Sequence, residues 1–536
     1  MKMKQAIRIF AMLLVAVMML SALASCGGNG DTTTPAGTTA PSGDITTAPT
    51  TNKWEGVDFT GETLRVEYST YTQTQLTAEG AKNFNQYLVG PDDYTSIAVD
   101  NAVFERNTRV IDQLGFAIEW METDVSSTNQ FLPHFESVSM AETPPDIVVN
   151  QHYGLIRAAV NGLLYNMRED YGNYDKNLFD FDGADSDNWY KNLMESATLN
   201  KDKIYIAAGD FLFDSLRMSY NVFVNVDMFG DLFTLQGGMD YLYDLVLNPS
   251  GDEAWTYDKL KEMADIARPV GTDPNSEDAV VGLMGTKSFV PRAFFYSSGL
   301  EIFDYSETGA PSYITDAAKK QELHTYVDKM ISLFGTESMV RESKYDVYSA
   351  TFLNGKALFS SEQHLANLEG SNFLNMDDAA AVVPYPKYNT ANDYKVLVSD
   401  NACAGAILFA SQKFTAASAY LQMMTEESAE VYTEYFDQGL KLKNNASNDA
   451  RQVEVLNLIR NAVDMPLAFL FDNLASRNIT TGSGANPLQP NSASTIYDII
   501  EHALTNNTNA FSSIWDSEVE AKNRELQSVV DVFSSK

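Results

Sequence analysis

"PPDIVVNQHYG", Pro144 to Gly154, is the stretch on which the fold turns. Asp146-Ile147-Val148-Val149 reads as a short buried strand. The chain then becomes abruptly polar at Asn150, Gln151, His152 and Tyr153. "GLIRAAVNGLLYNM" follows, a helical pattern that stops at Gly162. The same alternation spreads outward on both sides. Upstream lie a strand "ETLRVEYS" (Glu62 to Ser69), a helix over Asn101 to Leu114 and a strand "FAIEWM". Downstream, "KIYIAAG" and "MSYNVFVN" read as strands. Strands alternating with helices predict βα units, parallel sheets and an α/β fold.

Other segments repeat the opening pattern. In "ATFLNGKALFSSEQH" a helix stops at Gly355, a strand follows, and then come Ser361, Glu362, Gln363 and His364. "AAAVVPYPKY" is a strand that runs into Pro384-Tyr385-Pro386. In open α/β sheets, ligands sit outside the carboxyl ends of strands. The expectation is that these polar and aromatic loops line one cleft, although any one of them alone also fits a solvated turn. "EAWTYDKLKEMADIA" carries a helix start, with Thr256 at the N-cap and Asp258 in the first turn. Trp255 and Leu260 flank it as a hydrophobic staple.

A chain of 536 residues suits two or three domains better than one core. Its formal charge of −35 would repel nucleic acid and anionic headgroups, and fits solubility outside the cell. The N-terminus has a basic region (Lys2, Lys4, Arg8), an apolar run from Ile9 to Leu20 that is too short to span a membrane, and then "LASC". This reads as a secretory signal peptide. It resembles the bacterial lipoprotein signal, which implies cleavage after Ser25 and a lipid on Cys26. Residues 27 to 53 are rich in Gly, Thr, Pro and Ser and read as a disordered tether. The other cysteine, Cys403, is then left without a partner and reads as a buried, inert thiol.

Catalytic signatures are missing. There is no G-x-S-x-G and no H-E-x-x-H, and in "GLMGTKS" Thr286 separates Gly285 from Lys287 and spoils a phosphate loop. His134, His152, His324, His364 and His502 show no metal-ligand spacing. "DFDGADSDNW" (Asp180 to Trp189) is acidic, but it lacks the glycine and glutamate positions of a calcium loop. Asp and Glu are abundant, so a glycosidase carboxylate pair stays open.

"DFTGETLRV", "FVNVDMF", "LYDLVLNPSGDEAWTYDKL", "FLNGKALFS", "VVPYPKY" and "VYTEYFDQGLKLK" together resemble the extracellular solute-binding protein family 1, in content and in order, over roughly residues 58 to 460. This is the carbohydrate-binding group related to maltose-binding protein. The resemblance implies a two-lobe, periplasmic-binding-protein-like α/β fold with hinge strands. It puts one lobe at 55–212 plus 402–432 and the other at 213–400 plus 435–536. The crossings would fall near Asp210 to Tyr220, Val398 to Gly405 and Val431 to Phe436. It further implies a carbohydrate held between the lobes and delivered to the permease subunits of an ABC importer. The protein would be a monomer without cofactor or enzymatic activity, held on the outer face of the cytoplasmic membrane by its lipid alone.

Carried over motif by motif, the resemblance assigns ligand contacts to Asn150, Gln151, His152 and Tyr153, to Tyr68, Ser69 and Tyr71, and to Glu362, Gln363 and His364. Phe289, Arg292 and Phe295 match a segment that carries a stacking aromatic. Trp189, Tyr190 and Asp210 would also line the cleft. The chain departs from the family in placing amides and His where Trp is frequent. Another small solute such as a peptide, a sensor or adhesive lipoprotein, and a surface glycoside hydrolase remain the competing readings.

Overall fold

The structure, a computed structural model, describes residues 53–69, 86–125, 130–171, 176–183, 186–249, 253–268, 279–362, 364–369, 373, 375–436, 450–476 and 494–534. The predicted signal peptide, Cys26, the tether up to residue 52, Tyr71 and Gln363 lie outside these residues. Thirteen strands are described: β1 (Thr63–Ser69), β2 (Ala117–Thr123), β3 (Ile147–Gln151), β4 (Asn221–Asn225), β5 (Val281–Thr286), β6 (Phe303–Tyr305), β7 (Pro311–Tyr313), β8 (Met339–Glu342), β9 (Ala357–Glu362), β10 (Ala380–Val383), β11 (Val396–Leu397), β12 (Cys403–Ile407) and β13 (Val463–Asp464).

They form one sheet in the order β12-β3-β1-β2 and a second in the order β10-β4-β9-β5-β8. The α/β class holds. The sheets, however, are mixed rather than parallel. β1 pairs parallel with β2 and β3, while β12 runs antiparallel to β3, Gly405 facing Val149. β5 pairs parallel with β8 and β9, while β4 runs antiparallel to both β9 and β10. Strands covered on both faces read as unbroken apolar runs in either direction, so hydrophobicity alone does not encode direction. β11 and β13 make a short parallel pair, and β6 and β7 a hairpin.

β1, the helix Ala98–Leu114 and β2 form where they were expected. The helix Tyr257–Ala267 starts at Thr256, whose side chain accepts from Lys259 N at 3.3 Å. Trp255 and Leu260 are fully buried, and Trp255 Nε1 donates to Pro384 O at 2.8 Å. "KIYIAAG" is a correction. It makes isolated bridges only, Lys203 with Leu199, Ala207 with Gly405 and Gly209 with Trp189. Its backbone groups are shared among three segments, so no continuous ladder builds. A second correction concerns the opening stretch. β3 continues through Asn150 and Gln151 because β12 extends alongside, Cys403 opposite Gln151. The helix His152–Val160 then begins without a loop.

The last residues carry no motif, yet they pack well. Trp515, in the helix Phe511–Ser534, is fully buried and its Nε1 donates to Ile314 O at 3.1 Å. Asp472 is also fully buried. It accepts from Tyr313 Oη at 2.7 Å, Lys522 Nζ at 2.6 Å and Ile496 N at 2.7 Å. With that many donors a buried carboxylate is compensated. These contacts tie the β6–β7 hairpin to the C-terminal helices. Val57–Lys536 cluster as one compact unit.

Candidate functional site

The polar end of β3 leads into a buried network. Asn150, Gln151 and His152 are all within 2% of full burial. His152 N donates to Ala402 O at 2.9 Å, and its Nε2 shares a hydrogen bond with Ser215 Oγ at 3.2 Å. Ser215 belongs to the short helix Asp214–Arg217, which is also buried throughout. Cys403 N donates to Asp214 Oδ2, so the end of β12 is pinned to that helix. Arg217 then forks onto Glu369, Nε to Oε1 and Nη2 to Oε2, both at 2.9 Å. Tyr435 Oη donates to Glu369 Oε1 at 2.8 Å, and the Arg217 guanidinium lies 4.9 Å from the centre of the Tyr87 ring. Glu369 closes a 3-10 turn, Leu365–Glu369, that follows β9 and His364. Leu365 N donates to Ser219 O at 3.2 Å, so the segment after β9 returns to the segment before β4. Residues from both sheets therefore converge on the helix Asp214–Arg217.

Burial sets the electrostatics. It lowers the His152 imidazole to about 3. His364 falls to about 3 through burial first and the Arg217 charge second. Burial pushes Asp214 up to about 7, against the pull of Arg217, whose Nη1 is 3.5 Å away, and of the Cys403 N–H. At neutral pH both histidines are uncharged and can donate and accept hydrogen bonds. Gln151 Nε2, both ring nitrogens of His364 and Asn221 Oδ1 are buried and have no hydrogen-bond partner among the described residues.

The other expected contacts scatter. Tyr153 is buried and its Oη accepts from Arg157 at 2.8 Å within its own helix. Tyr68 Oη donates to Glu122 at 2.6 Å, and Ser69 Oγ to Val125 O at 3.4 Å. Trp189 is a core residue, its Nε1 donating to Gln422 at 3.0 Å among the rings of Phe179, Phe181 and Phe211. Tyr190 is buried beside Asp210, and Arg460 pairs with Asp210. Phe295 is fully buried against Tyr296 and Tyr326. Phe289 meets the Tyr220 ring edge-on, and Arg292 lies 4.3 Å from the centre of the Tyr497 ring. The backbone of Glu362 pairs with Asn221 in the sheet. Of the expected contacts, His152 meets the helix Asp214–Arg217 through Ser215, and His364 lies within reach of the Arg217 charge on the same helix.

Sequence reasoning passed over Asp214, Arg217 and Glu369. The first two stand in "FLFDSLRMSYNVFVN", where charges interrupt an otherwise apolar run. That interruption was the available signal. It also passed over an open cavity of about 690 Å³ lined by residues that include Arg168, Phe181, Asp182, Lys191, Glu195, Lys201 and Tyr305. Part of the acidic segment Asp180 to Trp189 forms its wall.

Among the described residues, no three His, Cys, Asp or Glu side chains come together as a metal site, and no helix is long and apolar enough to cross a membrane. The chain matches no protein-family model and no curated protein sequence.

Proposed function

We propose that this chain is a lipid-anchored extracellular solute-binding protein that captures a carbohydrate at the polar network and presents it to an ABC importer. The observation that carries the reading is that, of the buried atoms without partners among the described residues, Gln151 Nε2, both His364 ring nitrogens and Asn221 Oδ1 lie on the segments that meet around the helix Asp214–Arg217. Buried polar groups in native proteins are almost always paired. A ligand with many hydroxyls donates and accepts in equal measure and suits neutral amides and imidazoles. The two-lobe division belongs to this proposal. In its favour, β1, β2, β3 and β12 come from one proposed lobe, and β4, β5, β8, β9 and β10 from the other. Opening about the crossing segments would expose the network, and closure would desolvate it around the ligand.

A thermal-shift screen over neutral mono- and oligosaccharides and peptides identifies the ligand, and calorimetric titration then tests the site. Gln151→Leu and His364→Leu each weaken binding by about 1–3 kcal/mol, because the ligand loses its partner. Neither variant lowers the melting temperature, since each replaces an unpaired buried polar group with an apolar one. Unchanged affinity in both variants removes the network from the site. Product release from an oligosaccharide substrate would mean a hydrolase instead.

The anchor is tested separately. Cys26→Ala releases the protein from the membrane fraction into the medium, because the acyl chains are its only hold on the bilayer. A variant that still pellets with membranes overturns the lipid assignment.

A further inference from the structure

The 690 Å³ cavity falls in the size range of small-molecule sites, which run from about 300 to 1,000 Å³. A neighbouring space of about 400 Å³ shares Arg168, Phe181, Asp182 and Lys201 with it and adds the carboxylates of Glu169, Asp180 and Asp202. No part of the polar network lines it. Its floor is rigid. Phe181 is 9% exposed, stacks on Phe179 with centroids 4.8 Å apart and planes 16° apart, and meets Trp189 edge-on at 5.1 Å. A ring fixed in this way seats the Arg168 guanidinium, which lies 5.9 Å from its centre.

The rim is held as firmly. Asn200 and Lys201 both have positive φ, 50° and 68°. Such backbone is uncommon outside glycine but suits a tight hairpin turn, and Leu199 and Lys203 pair across this one. The turn after β6 packs against Asn200 and Lys201. Gly309 (φ +83°) rests on their backbone so closely that a Cβ there would sit 2.9 Å from Lys201 N. Lys201 Nζ donates to Glu307 O at 2.6 Å, which leaves donor capacity on the ammonium. Tyr305, half-exposed, comes from the same hairpin.

The larger cavity, unlike its neighbour, carries more cations than carboxylates. The chain has 37 Lys and Arg against 72 Asp and Glu, yet Arg168, Lys191 and Lys201 outnumber Asp182 and Glu195 on this lining, Lys191 being paired with Asp187 at 2.7 Å. Arg168 pairs with Asp182, a side chain that is 71% exposed. An ion pair so open to water contributes little and exchanges readily. A ligand carboxylate can take the place of Asp182 on the Arg168 fork.

We propose that this cavity binds an acidic sugar, its carboxylate held by Arg168 and Lys201 and its ring face laid against Tyr305. This second site is independent of the ligand at the polar network. The test is calorimetric titration of the full chain with D-galacturonate, D-galactose and acetate. Galacturonate binds one to one. Galactose and acetate each bind at least about tenfold more weakly, because one lacks the charge and the other the ring. Arg168→Gln, Lys201→Gln and Tyr305→Ala each weaken galacturonate binding about tenfold without moving the melting temperature, since all three side chains are at the surface. Raising the salt about tenfold weakens the acid as well. Galactose or acetate binding as tightly as galacturonate overturns the proposal, as does unchanged affinity in the three variants. His364→Leu leaves galacturonate binding intact. If it abolishes binding instead, the acid sits in the polar network, and this proposal fails while the proposed function stands.

Discussion

Replacing Arg217 by methionine destabilises the fold by about 3–5 kcal/mol, because it leaves the buried Glu369 carboxylate without its cation. Arg217 is wholly buried, and Asp214 and Glu369 are nearly so. Its guanidinium neutralises Glu369 through two parallel hydrogen bonds and stands 3.5 Å from Asp214. Tyr435 Oη and Cys403 N remain as donors after the substitution, but both are neutral and neither supplies charge. Arg217→Lys does not rescue the fold, since an ammonium cannot reproduce the planar fork. Arg217→Met combined with Glu369→Leu recovers part of the loss, because an apolar pair needs no compensation. Urea denaturation of the wild type and these three variants measures all of this. A loss below about 1 kcal/mol in Arg217→Met would mean that water reaches the pair, and that the network is not the closed core described here.

This network also shows where sequence reading stops. The strands were legible because apolar runs such as Ile147 to Val149 and Val222 to Val224 have nowhere to go but a core. Helix starts were legible at Thr256 and stops at Gly355, where local chemistry decides. Direction was not, because β12 returns to pair antiparallel with β3 from more than 250 residues away, and a strand buried on both faces carries no mark of its neighbour's polarity. The polar end of β3 stood out in the sequence, but the helix Asp214–Arg217 that it meets did not, because that meeting joins segments about 60 residues apart. The rings of Trp189 and Phe295 were read as ligand contacts and proved to be packed in the core. Aromatic residues near strand ends serve either purpose, and only the packing around them separates the two. The cavity beside Phe181 escaped notice altogether. It is assembled from a turn at Lys201 and a hairpin about 100 residues away, and neither has a periodicity that announces the other.

Acid destabilises the wild type relative to the double variant His152→Gln, His364→Leu by about 5 kcal/mol between pH 7.5 and pH 4.5. The sign follows from burial. In the unfolded chain both imidazoles take up a proton near pH 6.5, whereas in the fold both are held down to about 3. Their contribution to stability is therefore fully present above pH 6.5, and it is lost progressively as the pH falls towards 3. Each histidine costs about 1.4 kcal/mol per pH unit over that window, so two units and two residues give the total. The full pH profile of the wild type is shallower than this. Asp214, raised to about 7, works the other way: its contribution is present below its unfolded value near 3.8 and lost as the pH rises through 7. Acidification thus relieves the buried carboxylate while it burdens the buried imidazoles. Asp214 is common to both proteins, so subtracting one profile from the other isolates the histidines. Urea denaturation at the two pH values supplies the four free energies. A wild-type-minus-variant difference that stays constant would show that the folded protein admits protons to both rings. His152 beside Ser215 and His364 beside Arg217 would then be open to solvent, and the unmatched groups around them would be hydrated rather than reserved for a ligand.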